Sequence, residues 1–527
     1  PRGPVELHAV PAGEWGLHLD DEPIHLRLAL TGDTRRAARI RGTLLDLYEE
    51  EVPLPDLTLS PDQDPLALQF RLPALNRFGS FLVTFQAETA AGEPLGQPAE
   101  VLVHRVRSPR HLHRAAPQSP FGIHVAAIPE AVRMAKRLGF NWNRMHYKFN
   151  WTSVQRPDGS WNFDAADRLI APHREHHLLI LTHFGGVPAH RSVLAPHWNG
   201  SAWHRFNAAP HRDHLDAFEE YARRLLAHAG DDLQAVEVWN EPFLAGFFVG
   251  DIQDGRPVRE QPAVLAEMNR RARRAAEAAA YTGLLLWNVG PHYGESERNF
   301  DEAVRDLGGT AYVDALSLHR YTNARLGFPR DQFESDLRII REVFAGQPAA
   351  ARIWNSEGGH GLSELFNLYR NVPPLRMRMR AEAQASQAVR YYLSNFAAGV
   401  EKVFLYTMYP MDGWVPNYGY LNVDGTLSHI GPALSNLAWH LEDKHFRAQM
   451  PIGDAVYAQH YVGEAGQVLV LLPSGRGPAT LTRLPPGVQA ADIWGNPVSL
   501  PHRIGGGIVY LSAPVLDPAQ AAALLTP

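Results

Sequence analysis

The feature that most restricts the fold of this chain is the alternation of short apolar runs with amphipathic stretches between residues 121 and 441. Eight strand-like runs lie at 121–125, 142–147, 178–183, 235–240, 284–289, 315–321, 352–355 and 403–408. Between them, stretches with helical periodicity occupy 129–138, 164–176, 214–228, 264–280, 298–307, 332–344 and 382–398, and a last one follows at 430–441. Strands separated by helices pair in parallel, because each return to the sheet needs a crossover, and eight parallel strands can close on themselves. The pattern predicts an α/β chain built on a (β/α)8 TIM barrel. Its span of about 320 residues exceeds the typical ~250 and leaves room for long loops.

A chain of 527 residues is too long for one ordinary domain. Residues 1–108 show period-two runs such as Ile24-His25-Leu26-Arg27-Leu28-Ala29-Leu30, which predict an N-terminal antiparallel β-sandwich accessory domain. A linker around 108–120 leads into the catalytic barrel, placed at 119–445. Residues 446–527 return to short strands and predict a C-terminal β-sandwich, with Asp492-Ile493-Trp494-Gly495-Asn496 as a hairpin turn. The run Gly505-Gly506-Gly507 is also expected in a hairpin turn, because no helix follows it to make a phosphate loop.

Composition removes several function classes. The formal charge of −6 leaves no basic stripe, so nucleic acid is not an expected partner. Without cysteine there are no disulfides, thiolate metal sites or cysteine nucleophiles. No apolar run approaches the ~20 residues needed to cross a bilayer, so no membrane partner is expected. No signal-like segment follows Pro1. Localisation is left open: secreted or periplasmic if an export signal has been removed, cytoplasmic otherwise. Oligomeric state is left open as well.

Reactive groups in such a barrel sit at the C-terminal ends of the strands. Read in order, those ends carry His124, Arg144 with His146, His183, Asn240 with Glu241, Asn288 with His292, His319 with Tyr321, Glu357, and Tyr406. Two of these are carboxylates, each just past a Trp-Asn pair: Trp239-Asn240-Glu241-Pro242 and Trp354-Asn355-Ser356-Glu357. An acid at the end of a buried strand is costly and points to chemistry. Two such acids across a barrel mouth suit double displacement at a sugar carbon, which needs carboxyls about 5–5.5 Å apart.

These motifs resemble those of the clan A retaining glycoside hydrolases, families 39 and 5 most. Asn240-Glu241-Pro242 is similar to the clan's strand-four motif, which implies that Glu241 is the acid/base. Glu357 at the end of run seven matches the clan's nucleophile. Arg144 in Asn143-Arg144-Met145-His146 resembles the strand-two arginine that keeps the nucleophile ionised, and His319-Arg320-Tyr321 the His-x-Tyr signature of strand six. Tyr418-Gly419-Tyr420-Leu421, followed by Asp424-Gly425-Thr426, is similar to the segment after the last strand. The chain departs from the clan at strand eight, where many members carry Trp. Here the strand reads Phe404-Leu405-Tyr406-Thr407-Met408, so Tyr406 or Trp414 must serve instead.

The expected activity is hydrolysis of a glycosidic bond in an oligo- or polysaccharide, with no cofactor and no metal. Glu357 attacks as an anion stabilised by Arg144 and the Tyr321 hydroxyl. Glu241 begins protonated, gives up its proton, and then acts as base. Arg144, His146, His183, Asn240, His319, Tyr321, Tyr406 and Trp414 are the expected substrate-binding set, with Asn240 on the hydroxyl beside the anomeric centre. Trp151, Trp198 and Trp203 are further candidates for stacking on sugar faces, and the long loop 243–262 with Phe247-Phe248 for walling one end of the cleft. A metal-dependent barrel hydrolase is the first alternative, suggested by His124, His146, His183, His292, His319 and His360. It lacks His-x-His on strand one, and Asp412 comes late for strand eight. The cluster His173, Glu175, His176 and His177 reads as a solvated helix end. A non-catalytic carbohydrate-binding protein is the second alternative. Glu364 is a rival acid near Glu357, expected in solvent.

Overall fold

A computed structural model of the chain describes all residues except 1–3, 49, 292–293, 324–328, 362–377, 409–420, 422–425, 453, 475–476, 478, 505–506, 518–524 and 527. Its centre is a closed barrel of eight parallel strands. These are β1 (Phe121–Ile123), β2 (Trp142–Met145), β3 (Leu179–His183), β4 (Leu233–Glu237), β5 (Leu284–Val289), β6 (Ala315–Asn323), β7 (Ile353–Gly361) and β8 (Lys402–Leu405). All eight anticipated runs are strands, seven with ends within three residues of expectation, while β7 runs on six residues past its expected end at 355 to Gly361. Closure is direct: Phe121, Gly122 and Ile123 of β1 pair with Val403, Phe404 and Leu405 of β8. Gly122 is required there, because a Cβ would fall 2.5 Å from the Phe404 ring.

The barrel interior follows from the period of two along each strand. Trp142, Leu179, Leu181, Ala235, Leu286, Ala315, Trp354 and Phe404 form one buried cluster contributed by seven strands, the apolar plug of the barrel. Two residues further along the strands come Arg144, His183, Glu237, Asn288 and Ser317, all buried and all polar. The site is built on this second layer.

The helices wrap the outside as predicted, beginning with Pro129–Arg137 and ending with Ile430–Leu441. The last helix buries 11 of its 12 residues, because it is covered on several sides. Asn436 Nδ2 donates to the carbonyls of Asp492 and Ile493 at 3.3 and 3.2 Å. Arg107 lies 4.6 Å over the Trp439 ring, and His440 stacks on Tyr510 at 4.4 Å.

Flanking sheets occupy both ends of the chain. In the first, a three-stranded sheet (Glu6–Pro11, His25–Thr31, Leu68–Arg71) faces a six-stranded one that includes Arg39–Leu45, Gly79–Glu88 and Pro94–Val106. Leu26, Leu28, Leu30, Phe70, Val83 and Phe85 fill the space between them. The pairing is antiparallel with one departure, Leu17–Leu19 running parallel to Pro94–Val106. After the barrel, a five-stranded sheet starting at Lys444–Ile452 and a three-stranded one containing Ala479–Leu481 enclose a smaller core. The turn at Asp492–Asn496 does more than reverse the chain. Asn496 takes the Phe78 N–H at 2.7 Å and donates to the Phe78 carbonyl at 3.0 Å, so the two flanking units touch each other.

Candidate active site

A β-bulge decides which residues of β7 reach the site. The register of β7 against β8 shifts between Asn355 and Gly358, and that of β6 against β7 shifts between Leu318 and His319. Bulges re-aim side chains beside active sites. Here the shift sets Glu357 opposite His319, next to the polar layer of the interior.

Arg144 on β2 is the hub of that layer. Its Nη1 donates to Glu357 Oε2 at 2.8 Å, its Nε and Nη2 to Glu237 Oε2 at 2.8 and 2.6 Å, and Nη2 also to Asn240 Oδ1 at 2.7 Å. The side chains of Arg144 and Glu237 are wholly buried, and that of Glu357 is 9% exposed. Burial opposes the guanidinium charge, but Glu237 and Glu357 outweigh it and hold Arg144 above its ordinary value. Burial likewise opposes the charge of Glu237, and Arg144 outweighs it, leaving that carboxyl below the usual range. The other oxygen of Glu357 accepts the Tyr321 hydroxyl at 2.6 Å.

Glu241 is held differently. It lies beyond β4 with a φ of 48°, in the left-handed region that side chains rarely adopt. Asn288 Oδ1 takes its backbone N–H at 2.8 Å. Strain of this kind, fixed by a neighbour, is a mark of functional positions. The carboxylate is 14% exposed and meets His319 Nδ1 at 2.9 Å. One ligand atom each from Glu241, His319 and Glu357 lies within 4.8 Å of the other two, so the two carboxylates face one centre.

Aromatic and imidazole rings frame the pair. His146 stacks on Tyr147 at 3.9 Å, and the Tyr147 hydroxyl accepts from Asn240 Nδ2 at 3.0 Å. Tyr406 stands 5.0 Å from His124 and 6.1 Å from Tyr321, and burial, then the charge of Glu357, push its hydroxyl up to about 12. Burial pushes His124 and His146 well below the ordinary histidine value and His183 down to about 3, so all three are neutral at neutral pH. His183 takes the Tyr147 N–H at Nε2 and approaches the Phe184 carbonyl at Nδ1, 3.0 Å each, so both ring nitrogens serve the backbone. His146 Nε2 and His319 Nε2 are buried with no hydrogen-bond partner among the described residues, which leaves them available to a bound molecule.

No protein-family model matches the sequence, and no curated protein does. The fold does have known relatives. It is shared with a family 39 glycoside hydrolase from the gut symbiont Bacteroides cellulosilyticus, at a TM-score of 0.66 and 15% identity over 90% of this chain and 94% of that one. At that identity the likeness establishes the architecture, flanking sheets included. A family 51 α-L-arabinofuranosidase from Bifidobacterium longum matches at a TM-score of 0.43 and 12% identity, over 77% of this chain and 94% of that one. A psychrophilic family 10 endo-β-1,4-xylanase matches at 0.40 and 15%, over 60% and 96%. These two are too distant in shape to bear on the site.

Of the anticipated site residues, Arg144, His146, Asn240, Glu241, His319, Tyr321, Glu357 and Tyr406 meet around one centre, with His183 supporting Tyr147. Trp414, His292, Glu364 and Asp412 lie outside the described residues, as does the side chain of His360. Trp151 is buried and stacks on Tyr221 at 5.3 Å, a packing role, whereas Trp203 is 44% exposed. His173 corrects the expectation of a solvated helix end: it is 1% exposed and bonds Asn143 and the Leu169 carbonyl, each at 2.8 Å. Sequence reasoning passed over Glu237, Ser317 and Tyr147. Glu237 had one available signal, its position two residues after Ala235 and therefore facing inward. Glu241, His319 and Glu357 offer enough donors for a divalent cation. The guanidinium 2.8 Å from Glu357 opposes a second positive charge there.

Proposed function

We propose that this protein is a retaining glycoside hydrolase acting on an oligosaccharide or polysaccharide. The observation that carries this reading is the convergence of Glu241 and Glu357 to within 4.8 Å. Retaining enzymes need carboxyls about 5–5.5 Å apart, whereas inverting enzymes leave about 6.5–9.5 Å for a water. The shared family 39 fold supports it.

Each residue takes a role its contacts suit. Glu357, held by Arg144 and Tyr321, attacks the anomeric carbon while Glu241 passes its proton to the departing oxygen. The bond to the leaving group breaks and a glycosyl ester forms on Glu357. Glu241, now a carboxylate, takes a proton from water, which releases the sugar with its original configuration. Asn240 is fixed on both sides, by Arg144 and Tyr147, and so presents a rigid contact to the hydroxyl beside the anomeric centre. His146 and His319 offer their unpartnered Nε2 atoms to further hydroxyls.

The loop after Glu241 supports a walled cleft. Val249–Gln253 and Arg256–Arg259 pair as a hairpin. Val249 docks on the preceding loop through Asn207 and Ala209 at 3.0 and 2.9 Å. Phe247 packs 5.2 Å from Trp203. A barrier of this kind suits action at chain ends or on short oligosaccharides.

The test is hydrolysis of a panel of aryl β-gluco-, xylo-, galacto- and mannosides and α-L-arabinofuranosides, with and without a chelator. Turnover that survives the chelator and disappears in Glu357→Ala supports the reading. Activity that disappears with the chelator assigns the Glu241, His319 and Glu357 cluster to a metal. Sugar binding without turnover assigns a recognition role.

A further inference from the structure

Arg144 is one cation between two buried carboxylates, and the proposed reaction uses only Glu357. Glu237 lies on β4, four residues before Glu241. It takes two of the guanidinium's hydrogen bonds and the Ser317 hydroxyl at 2.6 Å. No solvent reaches Arg144 or Glu237. Among the described residues Glu237 and Glu357 are the carboxylates that Arg144 touches.

During the reaction the charge on Glu357 disappears. When its carboxylate oxygen bonds the anomeric carbon and the leaving group departs with the Glu241 proton, Glu357 becomes a neutral ester. A buried cation that loses its anion is strongly destabilising. Without Glu237, Arg144 would then keep only the Asn240 carbonyl and a neutral ester.

We infer that Glu237 is a positioning residue that keeps Arg144 neutralised while Glu357 is esterified, so that the glycosyl-enzyme forms without leaving an unpaired buried guanidinium. Its two bonds also fix the plane of Arg144, aiming Nη1 at Glu357 and Nη2 at Asn240. This inference rests on the double-displacement reading above.

The test uses the full chain and activated 2-deoxy-2-fluoro glycosides of the same sugar panel, with intact mass to detect the adduct and thermal unfolding before and after it forms. In the wild type the adduct leaves Tm unchanged or raised. In Glu237→Gln the adduct forms at least tenfold more slowly, and it unfolds several degrees below the free variant. Ser317→Ala, which takes one bond from Glu237 and one from Asn288 but removes no charge, shows no such drop in Tm when the adduct forms. A merely structural Glu237 would lower Tm equally with and without adduct, and equal shifts in Glu237→Gln and wild type overturn the inference. If Glu237→Gln does not fold, Glu237→Asp, which withdraws the charge by one methylene, shows the same sign at smaller size. A wild type that forms no adduct with any probe overturns the glycosidase reading itself.

Discussion

His319 Nδ1 lies 2.9 Å from Glu241 Oε1 and 3.9 Å from Glu357 Oε2, so a single imidazole borders both candidate catalytic carboxylates. β6 and β7 pair His319 with Glu357 in register, and the left-handed turn at Glu241 brings the third group to them from β4. Loss of the imidazole should therefore disturb proton donation more than attack. For His319→Ala, kcat/KM is expected to fall roughly 100-fold on substrates with poor leaving groups, within the range typical of general acid catalysis. On a dinitrophenyl glycoside, whose leaving group needs no proton, the loss should be under about tenfold. Equal losses on both substrates would contradict this placement.

Tyr321 touches the opposite oxygen of Glu357 at 2.6 Å. A hydrogen bond to a charged group contributes about 1.5–3 kcal/mol. Tyr321→Phe should accordingly lower kcat by roughly 10- to 100-fold. Steady-state kinetics with an aryl glycoside reads this directly, and an unchanged kcat would remove Tyr321 from the nucleophile's support.

The buried histidines make stability depend on acidity. Burial pushes His18, His173 and His429 down to about 4, and His104, His183 and His440 down to about 3. The unfolded chain takes up these protons near the ordinary value of about 6.5, which the folded chain refuses until lower pH. Stability must therefore fall as pH drops below about 6.5, by up to about 1.4 kcal/mol per pH unit for each fully mismatched group. Glu442 acts in the opposite sense. Burial raises it to about 7 and raises Asp492 as well, so their contributions grow as pH falls toward the ordinary carboxyl range, but they are two groups against six. Calorimetry should show Tm declining steadily from pH 6.5 to 4; a flat profile would contradict the burial of these rings.

Among the described residues, Trp203 is an exposed aromatic beside the site, 6.0 Å from Tyr147 and 5.2 Å from Phe247. A stacking contact is worth about 0.5–1.5 kcal/mol. Trp203→Ala is expected to raise KM for a trisaccharide by up to about tenfold. KM for a small aryl glycoside and Tm should change little. Equal effects on both substrates would place Trp203 outside an extended subsite.

The barrel was legible because its signal is repeated: eight buried runs separated by helical periods permit few other closures. Glu241 stood out because a carboxylate followed by proline ends a buried strand, and Glu357 because it repeats the setting. Glu237 did not, since Ala235-Val236-Glu237-Val238 reads as one apolar run and nothing local names its partner. Arg144 is 93 residues away in sequence and reaches it only when β2 and β4 face one another across the interior. The burial of His173, on the helix that follows β2, was hidden because its partner Asn143 lies on β2 some 30 residues earlier. Contacts across the barrel are fixed by closure and layer, which a reading along the chain does not supply. The bulge that brings Glu357 into register with His319 is likewise a property of the paired strands.

The central claim is the division of labour between Glu241 and Glu357, and the configuration of the azide product reads it most directly. An aryl glycoside that the wild type hydrolyses is incubated with sodium azide and each alanine variant, and the glycosyl azide is identified by NMR. The account predicts a product of inverted configuration from Glu357→Ala, where azide replaces the missing nucleophile. It predicts a product of retained configuration from Glu241→Ala, where azide intercepts the glycosyl ester on Glu357. The opposite assignment, or rescue of neither variant, would contradict it.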